Sequence, residues 1–188
     1  MNVWIIVAVA AAITLYVIFV FNRLVRLRNL AREAWSGMDV QLKRRSDLVP
    51  NLVETVKGYA AHERGVLEEV AARRQSSLAA GDVAGRASEE QALQGALGKL
   101  FAVAEAYPGL KADKNFLSLQ QQLAEIEDQL QMARRYYNGT ARNLNISIQS
   151  FPDNLFAGPL GFREQPFFEL EDRAQAAAPS VAFQAPNA

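Results

Sequence analysis

The residues of this chain best suited to chemistry are few, and most of them sit in one charged segment. Lys43-Arg44-Arg45-Ser46-Asp47, followed by Asn51 and Glu54, carries charge and hydrogen-bonding groups around a proline, Pro50. Arg45 falls on an apolar seam, and so does Glu63. A buried charge costs several kcal/mol unless it is paired. One expectation is therefore an internal ion pair that fixes helix register, Arg45 with Glu63 or Glu105. The alternative is a partner-recognition surface near Pro50 formed by Arg44, Arg45, Asp47, Asn51 and Glu54. Contact with lipid headgroups is a weaker third use. Lys43 lies some 20 residues beyond the apolar stretch described below, about 30 Å along a straight helix. The turn Tyr107-Pro108-Gly109-Leu110-Lys111 reads either as a plain connector or as a recognition tip, with Tyr107 and Lys111 its candidate contacts.

Catalytic patterns are missing from the sequence. His62 is the single histidine and adjoins Glu63. A zinc site needs about three protein ligands, and this pair lacks the spacing of a metallopeptidase helix. It reads as a helix-surface histidine. No serine lies in a nucleophile elbow, and no glycine-rich phosphate loop is present. The pairs Glu68-Glu69 and Glu89-Glu90 read as solvated helix faces. With no cysteine in the chain, disulfides, iron–sulfur clusters and thiol chemistry are excluded. The expectation is no enzyme, no metal and no cofactor. Lysine plus arginine and aspartate plus glutamate balance at 20 each, which argues against a nucleic-acid partner.

The elements that position these residues begin with Val3 to Phe21, a stretch free of charge and proline between Asn2 and Asn22. A helix of about 20 apolar residues crosses a hydrocarbon core of about 30 Å. A cleaved signal peptide would show a basic start, a shorter apolar run and a small-residue cleavage site. Here the alanines lie mid-run and no basic residue precedes it, so the stretch reads as an uncleaved anchor whose partner is the lipid bilayer. Arg23, Arg26, Arg28 and Arg32 follow at once. The first three are candidates for headgroup contact. The basic flank predicts an outside N-terminus and a cytoplasmic C-terminal domain.

Beyond the anchor, apolar residues recur at alternating steps of three and four, the signature of helices with one apolar stripe. The first seam runs Trp35, Met38, Leu42, Arg45, Val49, Leu52, Val56, Tyr59, Glu63, Val66, Val70. Its unbroken phase favours one rod kinked at Pro50 over two separate helices. A second seam runs Leu93, Leu97, Leu100, Ala104, Tyr107. A third runs Phe116, Leu119, Leu123, Ile126, Leu130, Ala133, Tyr137, Thr140, Leu144, Ser147, Phe151. Asn138-Gly139 is a weak point inside it. The fold class predicted is all-α: an N-terminal transmembrane helix, then an antiparallel bundle of four long helical segments, then an irregular Phe/Pro/Gly-rich strap. The boundaries predicted are an anchor at 1–22, a bundle at 23–150, a strap at 151–170 and a disordered tail at 171–188.

Several stretches carry a resemblance. The segment from Ala34-Trp35-Ser36-Gly37-Met38 through Arg44-Arg45-Ser46-Asp47-Leu48-Val49-Pro50-Asn51-Leu52-Val53 to Gly58-Tyr59-Ala60 closely resembles the hallmark of the bacterial LemA family. Glu105-Ala106-Tyr107-Pro108-Gly109-Leu110-Lys111-Ala112, Asn115-Phe116 with Leu119-Gln120, Arg134-Arg135-Tyr136-Tyr137-Asn138, and Phe151-Pro152 with Gly161-Phe162 follow in the same order. Ser46 and Gly37 depart from it, standing where the family often has a larger ring and a glutamine. The resemblance implies a single N-terminal span, an extracytoplasmic N-terminus and a four-helix bundle of mirror up-and-down topology. It implies no settled activity. The frequent neighbourhood of such proteins to membrane metallopeptidases makes one of these a candidate partner. Tyr137 and Asn138 join the candidate interaction residues on this basis.

Together these readings point to a membrane-anchored scaffold or adaptor. The rival is a self-assembling structural protein that organises or remodels membrane. The segment from Phe151 to Phe168 discriminates between them: sealed on its own bundle it favours the adaptor, exposed it favours assembly. Phe156, Phe162 and Phe167 are the expected contacts of a homo-oligomer.

Overall fold

The computed structural model describes residues 2–169; the expected tail at 171–188 lies outside the described residues. Among the described residues the architecture is all-α, with six helices and no strand: α1 (Asn2–Lys57), α2 (Arg64–Ala79), α3 (Val83–Glu105), α4 (Pro108–Lys111), α5 (Lys114–Gln149) and α6 (Asn154–Ala157).

α1 is one helix of 56 residues, about 84 Å long at 1.5 Å per residue. It begins in the apolar stretch and continues through the basic flank, the charged segment and Pro50 without a break. Pro50 is exposed, so its ring clashes with no packed neighbour. The first seam does not continue as a rod to Val70, however. Gly58 ends the helix, and the amides of Tyr59 and Ala60 turn back onto the carbonyl of Val56 at 3.0 and 2.8 Å. A glycine just past the last turn is a stop signal in its own right. Tyr59 is thereby exposed, and Glu63 becomes the residue before α2. Beyond the turn Val70 is the buried seam residue, and Ala60 and Leu67, each one place off the seam, are buried in place of Tyr59 and Val66.

α5 returns antiparallel to α1 along its length. Tyr59 meets Asp113 at one end, Arg44 meets Gln129 midway, and Arg23 meets Ser147 at the other. Asp113 caps α5, its carboxylate accepting from the amides of Asn115 and Phe116 at 2.8 and 3.0 Å. Asp82 caps α3 in the same way through the Gly85 amide. The α5 seam is buried through Ser147 except for the partly buried Leu119 and Ala133, and the helix runs unbroken through Asn138-Gly139, but Phe151 lies beyond it and is exposed.

The α2–α3 hairpin covers only the distal half of this pair. There the core holds Val49, Leu52, Val56, Val70, Leu93, Leu100 and Phe116. In the proximal half the chain after α6 takes the hairpin's place. Gly161, at φ 78°, turns the chain, and Phe162 and Phe168 insert against α1 and α5. Phe162 joins Val20, Leu24, Leu144 and Ala157, while Phe168 joins Met38, Leu42 and Tyr137. The strap thus belongs to the monomer core.

Candidate functional site

The polar centre of the bundle lies where α1, α3 and α5 approach one another. Glu90 is 1% exposed. It forms an ion pair with Arg45 and accepts a hydrogen bond from the Ser77 hydroxyl of α2. Arg86, one turn earlier on α3, brings its Nε to 3.3 Å from Glu90 Oε1 and donates to the Ser77 carbonyl at 2.6 Å. Two further acids lie at the rim: Glu127 at 3.1 Å from Arg45 and Asp39 at 3.5 Å from Arg86. All four long helices contribute.

Arg45 is therefore buried and paired, but with Glu90 and Glu127; Glu63 and Glu105, the expected partners, sit elsewhere. Glu63 is at the turn before α2, and Glu105 is exposed at the end of α3. Glu90 is no solvated face residue. The missing signal was in the sequence: the second seam, extended back from Leu93 by steps of three and four, passes through Glu90 and Arg86. Both oxygens of Glu90 are occupied by cationic or hydroxyl donors, away from water. Such an acid orients helices and offers no face to a substrate.

The other candidates divide among separate places. Arg44 and Asp47 are exposed and share a shallow groove of about 250 Å³ with Gln122, Glu125, Ile126 and Gln129. Asn51 is exposed on the same helix, its carbonyl accepting from Thr55. Glu54 pairs with Lys57 and borders a distinct groove of about 470 Å³ with Val53, Arg64, Leu67 and Glu68. On the far side of α5 a third groove, about 350 Å³, opens between α3 and α5, with Leu97, Phe101 and Leu123 as its apolar floor and Gln94 and Gln120 at its lip. Sequence reasoning offered no sign of it, since these positions look like ordinary seam residues.

Tyr107 and Lys111 bracket α4 at the distal tip, beside the turn at 58–63. There the Tyr59 hydroxyl donates to Asp113 at 2.9 Å. The backbone amide of Phe116 and the Tyr59 phenol hold the Asp113 carboxyl below the usual range, and the same bond raises the Tyr59 phenol. His62 is exposed on that turn. Among the described residues no group of three histidine, aspartate or glutamate side chains is placed to hold a metal ion.

Tyr137 and Asn138 serve the fold. The Tyr137 hydroxyl donates to the Pro166 carbonyl at 2.8 Å, and burial raises its phenol. The Asn138 side chain donates to the Phe168 carbonyl at 3.1 Å and accepts from its amide at 2.9 Å. Asn145, which sequence reasoning did not single out, grips Gln165 in the same two-sided way at 2.9 and 2.8 Å. Seven helical residues rise about 10.5 Å, and three extended residues span about 10 Å. The two asparagines are thus in step with the strap running antiparallel to α5.

Of the self-association candidates, Phe162 is buried, with its ring edge-on to Phe21 and under the Arg28 guanidinium at 5.0 Å. It has no surface left for a second chain. Phe156 is half-buried against Tyr16, and Phe167 is 36% exposed. Among the headgroup candidates, Arg23 is tied to Asp153 at 3.2 Å and to Ser147, Arg28 covers Phe162, and Arg26 is exposed.

A helical bundle whose first helix extends into an apolar stretch long enough to cross a membrane, locked by a central charge cluster and closed by a strap, defines the class. The family model for the LemA family matches residues 34–183, and the chain belongs to that family. It is 27% identical over 175 aligned residues to magnetosome protein MamQ 1 of Paramagnetospirillum magneticum, covering 79% of this chain and 64% of that protein. It is 25% identical over 174 residues to magnetosome protein MamQ of Magnetospirillum gryphiswaldense, again covering 64% of it. With Protein LemA of Metamycoplasma hominis it shares 28% identity over 156 residues, covering 80% of this chain and 69% of that one. The chain thus spans a little under two thirds of the length of the magnetosome relatives it matches.

Proposed function

We propose that this protein is a membrane-anchored scaffold without catalytic activity of its own, which presents a rigid helical bundle to protein partners at the inner membrane surface. The observation that carries this reading is the continuity of α1. A single helix joins the apolar stretch to the distal end of the bundle, so the bundle is held at a fixed distance from the bilayer. The apolar part of α1 is long and apolar enough to cross a membrane, and it is almost wholly unburied by the rest of the chain. Arg23, Arg26, Arg28 and Arg32 on its inner flank favour a cytoplasmic bundle.

The segment from Phe151 to Phe168 divides under this test: the burial of Phe162 and Phe168 supports an adaptor, while Phe151 and Leu155 stay exposed. The groove between α3 and α5 is the face we assign to a partner. Its floor of Leu97, Phe101 and Leu123 is apolar and its rim is polar, a composition suited to an amphipathic helix. That two of these relatives are named magnetosome proteins fits work within a larger assembly.

Site-specific photocrosslinking in native membranes tests this. A photoreactive residue at Gln94 or Gln120, at the groove's lip, should give one shared adduct with another protein, and the same probe at exposed Gln75 should not. Adducts formed only between copies of this chain would favour self-assembly instead.

A further inference from the structure

The corner where α5 passes into α6 has inverted polarity. Its acid, Asp153, is 4% exposed and turned inward, accepting from the Tyr16 hydroxyl at 2.7 Å and from Arg23 at 3.2 Å. Two of its large apolar side chains are exposed: Phe151 is 80% and Leu155 59% exposed. In water this arrangement leaves an apolar patch uncovered while an acid is desolvated.

The depth of the corner explains it. Tyr16, which binds Asp153 and packs on Phe156, is not past the apolar stretch but within its last two turns. Val20, next along, is buried in the cluster with Leu144, Ala157 and Phe162. The run clear of the domain is Val3 to Leu15, about 20 Å long at 1.5 Å per residue, short of a hydrocarbon core of about 30 Å. The full stretch to Phe21 is about 28 Å, which matches. For the anchor to span, its last six residues must enter the bilayer boundary, and α6 travels with them to a depth of about 9 Å or less. That is the depth at which amphipathic elements rest, about 5–10 Å into the headgroup and acyl boundary. Phe19 and Phe21 on α1 expose further apolar surface at the same level, and exposed Arg26, Arg142 and Arg163 lie on the segments leading away from it.

We propose that the α5–α6 corner is a second membrane contact, with Phe151 and Leu155 seated in the headgroup–acyl boundary beside the anchor. The inference rests on the anchoring reading above. Its consequence is orientation: one helix through a bilayer can swivel, and two contacts on different elements fix the bundle's tilt and the direction its α3–α5 groove faces. A second copy of the chain fits the patch less well, because the Tyr16–Asp153 and Tyr16–Phe156 contacts hold the patch level with the last turns of the anchor.

The chain has no cysteine, so single cysteines can be introduced and labelled cleanly. The full-length protein, labelled with an environment-sensitive fluorophore at Ile13→Cys, Leu155→Cys or Ser118→Cys, is reconstituted into phosphatidylethanolamine–phosphatidylglycerol vesicles. Quenching by lipids with a nitroxide near the headgroup or deep in the acyl chain is compared with quenching by aqueous iodide. Position 13 should lose fluorescence to the deep nitroxide, position 155 to the shallow one, and position 118 only to iodide. If 155 behaves like 118 while 13 is quenched by lipid, the anchor stands and the second contact is overturned. If 155 is shielded from iodide and from both lipids, protein covers it, and the proposal again fails in favour of a second copy. If 13 itself escapes lipid quenching, the anchoring reading fails first.

Discussion

Arg74 Nε donates to the backbone carbonyl of Ser46 at 2.7 Å. That carbonyl is the one Pro50 leaves without an amide, four residues later in the same helix. A side chain from α2 thus supplies the donor that α1 lacks. This relation explains how a proline is carried inside a 56-residue helix that does not stop there. It also pins the α2–α3 hairpin to α1 at the level of the buried charge cluster.

A double-mutant cycle follows from that relation. Arg74→Ala should destabilise the protein at the low end of the about 1.5–3 kcal/mol seen for hydrogen bonds to charged groups. In a Pro50→Ala background the restored amide serves Ser46, and the same Arg74→Ala change should cost clearly less. Equal costs in the two backgrounds, measured by denaturant unfolding, would show that Arg74 acts elsewhere.

The central cluster predicts an order of severity. Glu90→Ala leaves the buried Arg45 and Arg86 with only their rim acids, Glu127 and Asp39, and should cost about 3–5 kcal/mol. Arg45→Met leaves Glu90 with Arg86 and Ser77 and replaces a buried cation by an apolar chain of similar length. It should cost well under half as much. Thermal unfolding of the two variants decides, and a reversed order would place Arg45 at the centre.

Asp113 predicts a pH dependence. Its carboxyl titrates below the usual range because the Phe116 amide and the Tyr59 hydroxyl bind the ionised form. A depressed folded value means the contribution is present in full above the unfolded value, about 4, and is lost as pH falls through the lower folded value. Asp113→Asn keeps the cap on α5 but loses the charge, so it should lower stability at neutral pH. It should also remove the part of the acid-induced loss that wild type shows below about pH 4. An unchanged acid limb in the variant would remove Asp113 from the account.

The strap is gripped at two points, and these should release separately. Asn138→Ala should speed amide exchange at Phe168, and Asn145→Ala should speed it at Gln165, each before global unfolding. Uniform acceleration in both variants would mean that the strap opens as one unit.

Helix type, the long return helix and the apolar N-terminal stretch were legible because each follows from local periodicity alone. Seam residues such as Met38, Leu42, Leu123 and Leu144 are buried where their spacing puts them. The burial of Arg45 was legible for the same reason, since a charge in phase with an apolar stripe must go inward. What periodicity could not supply is which helix faces which. Arg45 finds Glu90, 45 residues away, only because the turn at 58–63 sends α2 and α3 back along α1. That turn went unseen because the apolar phase happens to continue across it. The asparagine grips on the strap and the inward turn of Asp153 beside Tyr16 join residues far apart in the chain. Sequence by itself determined the elements and their buried faces, because these depend on neighbours three and four positions away. The tertiary structure alone decided the pairings, because a polar group takes whichever partner packing brings within about 3 Å.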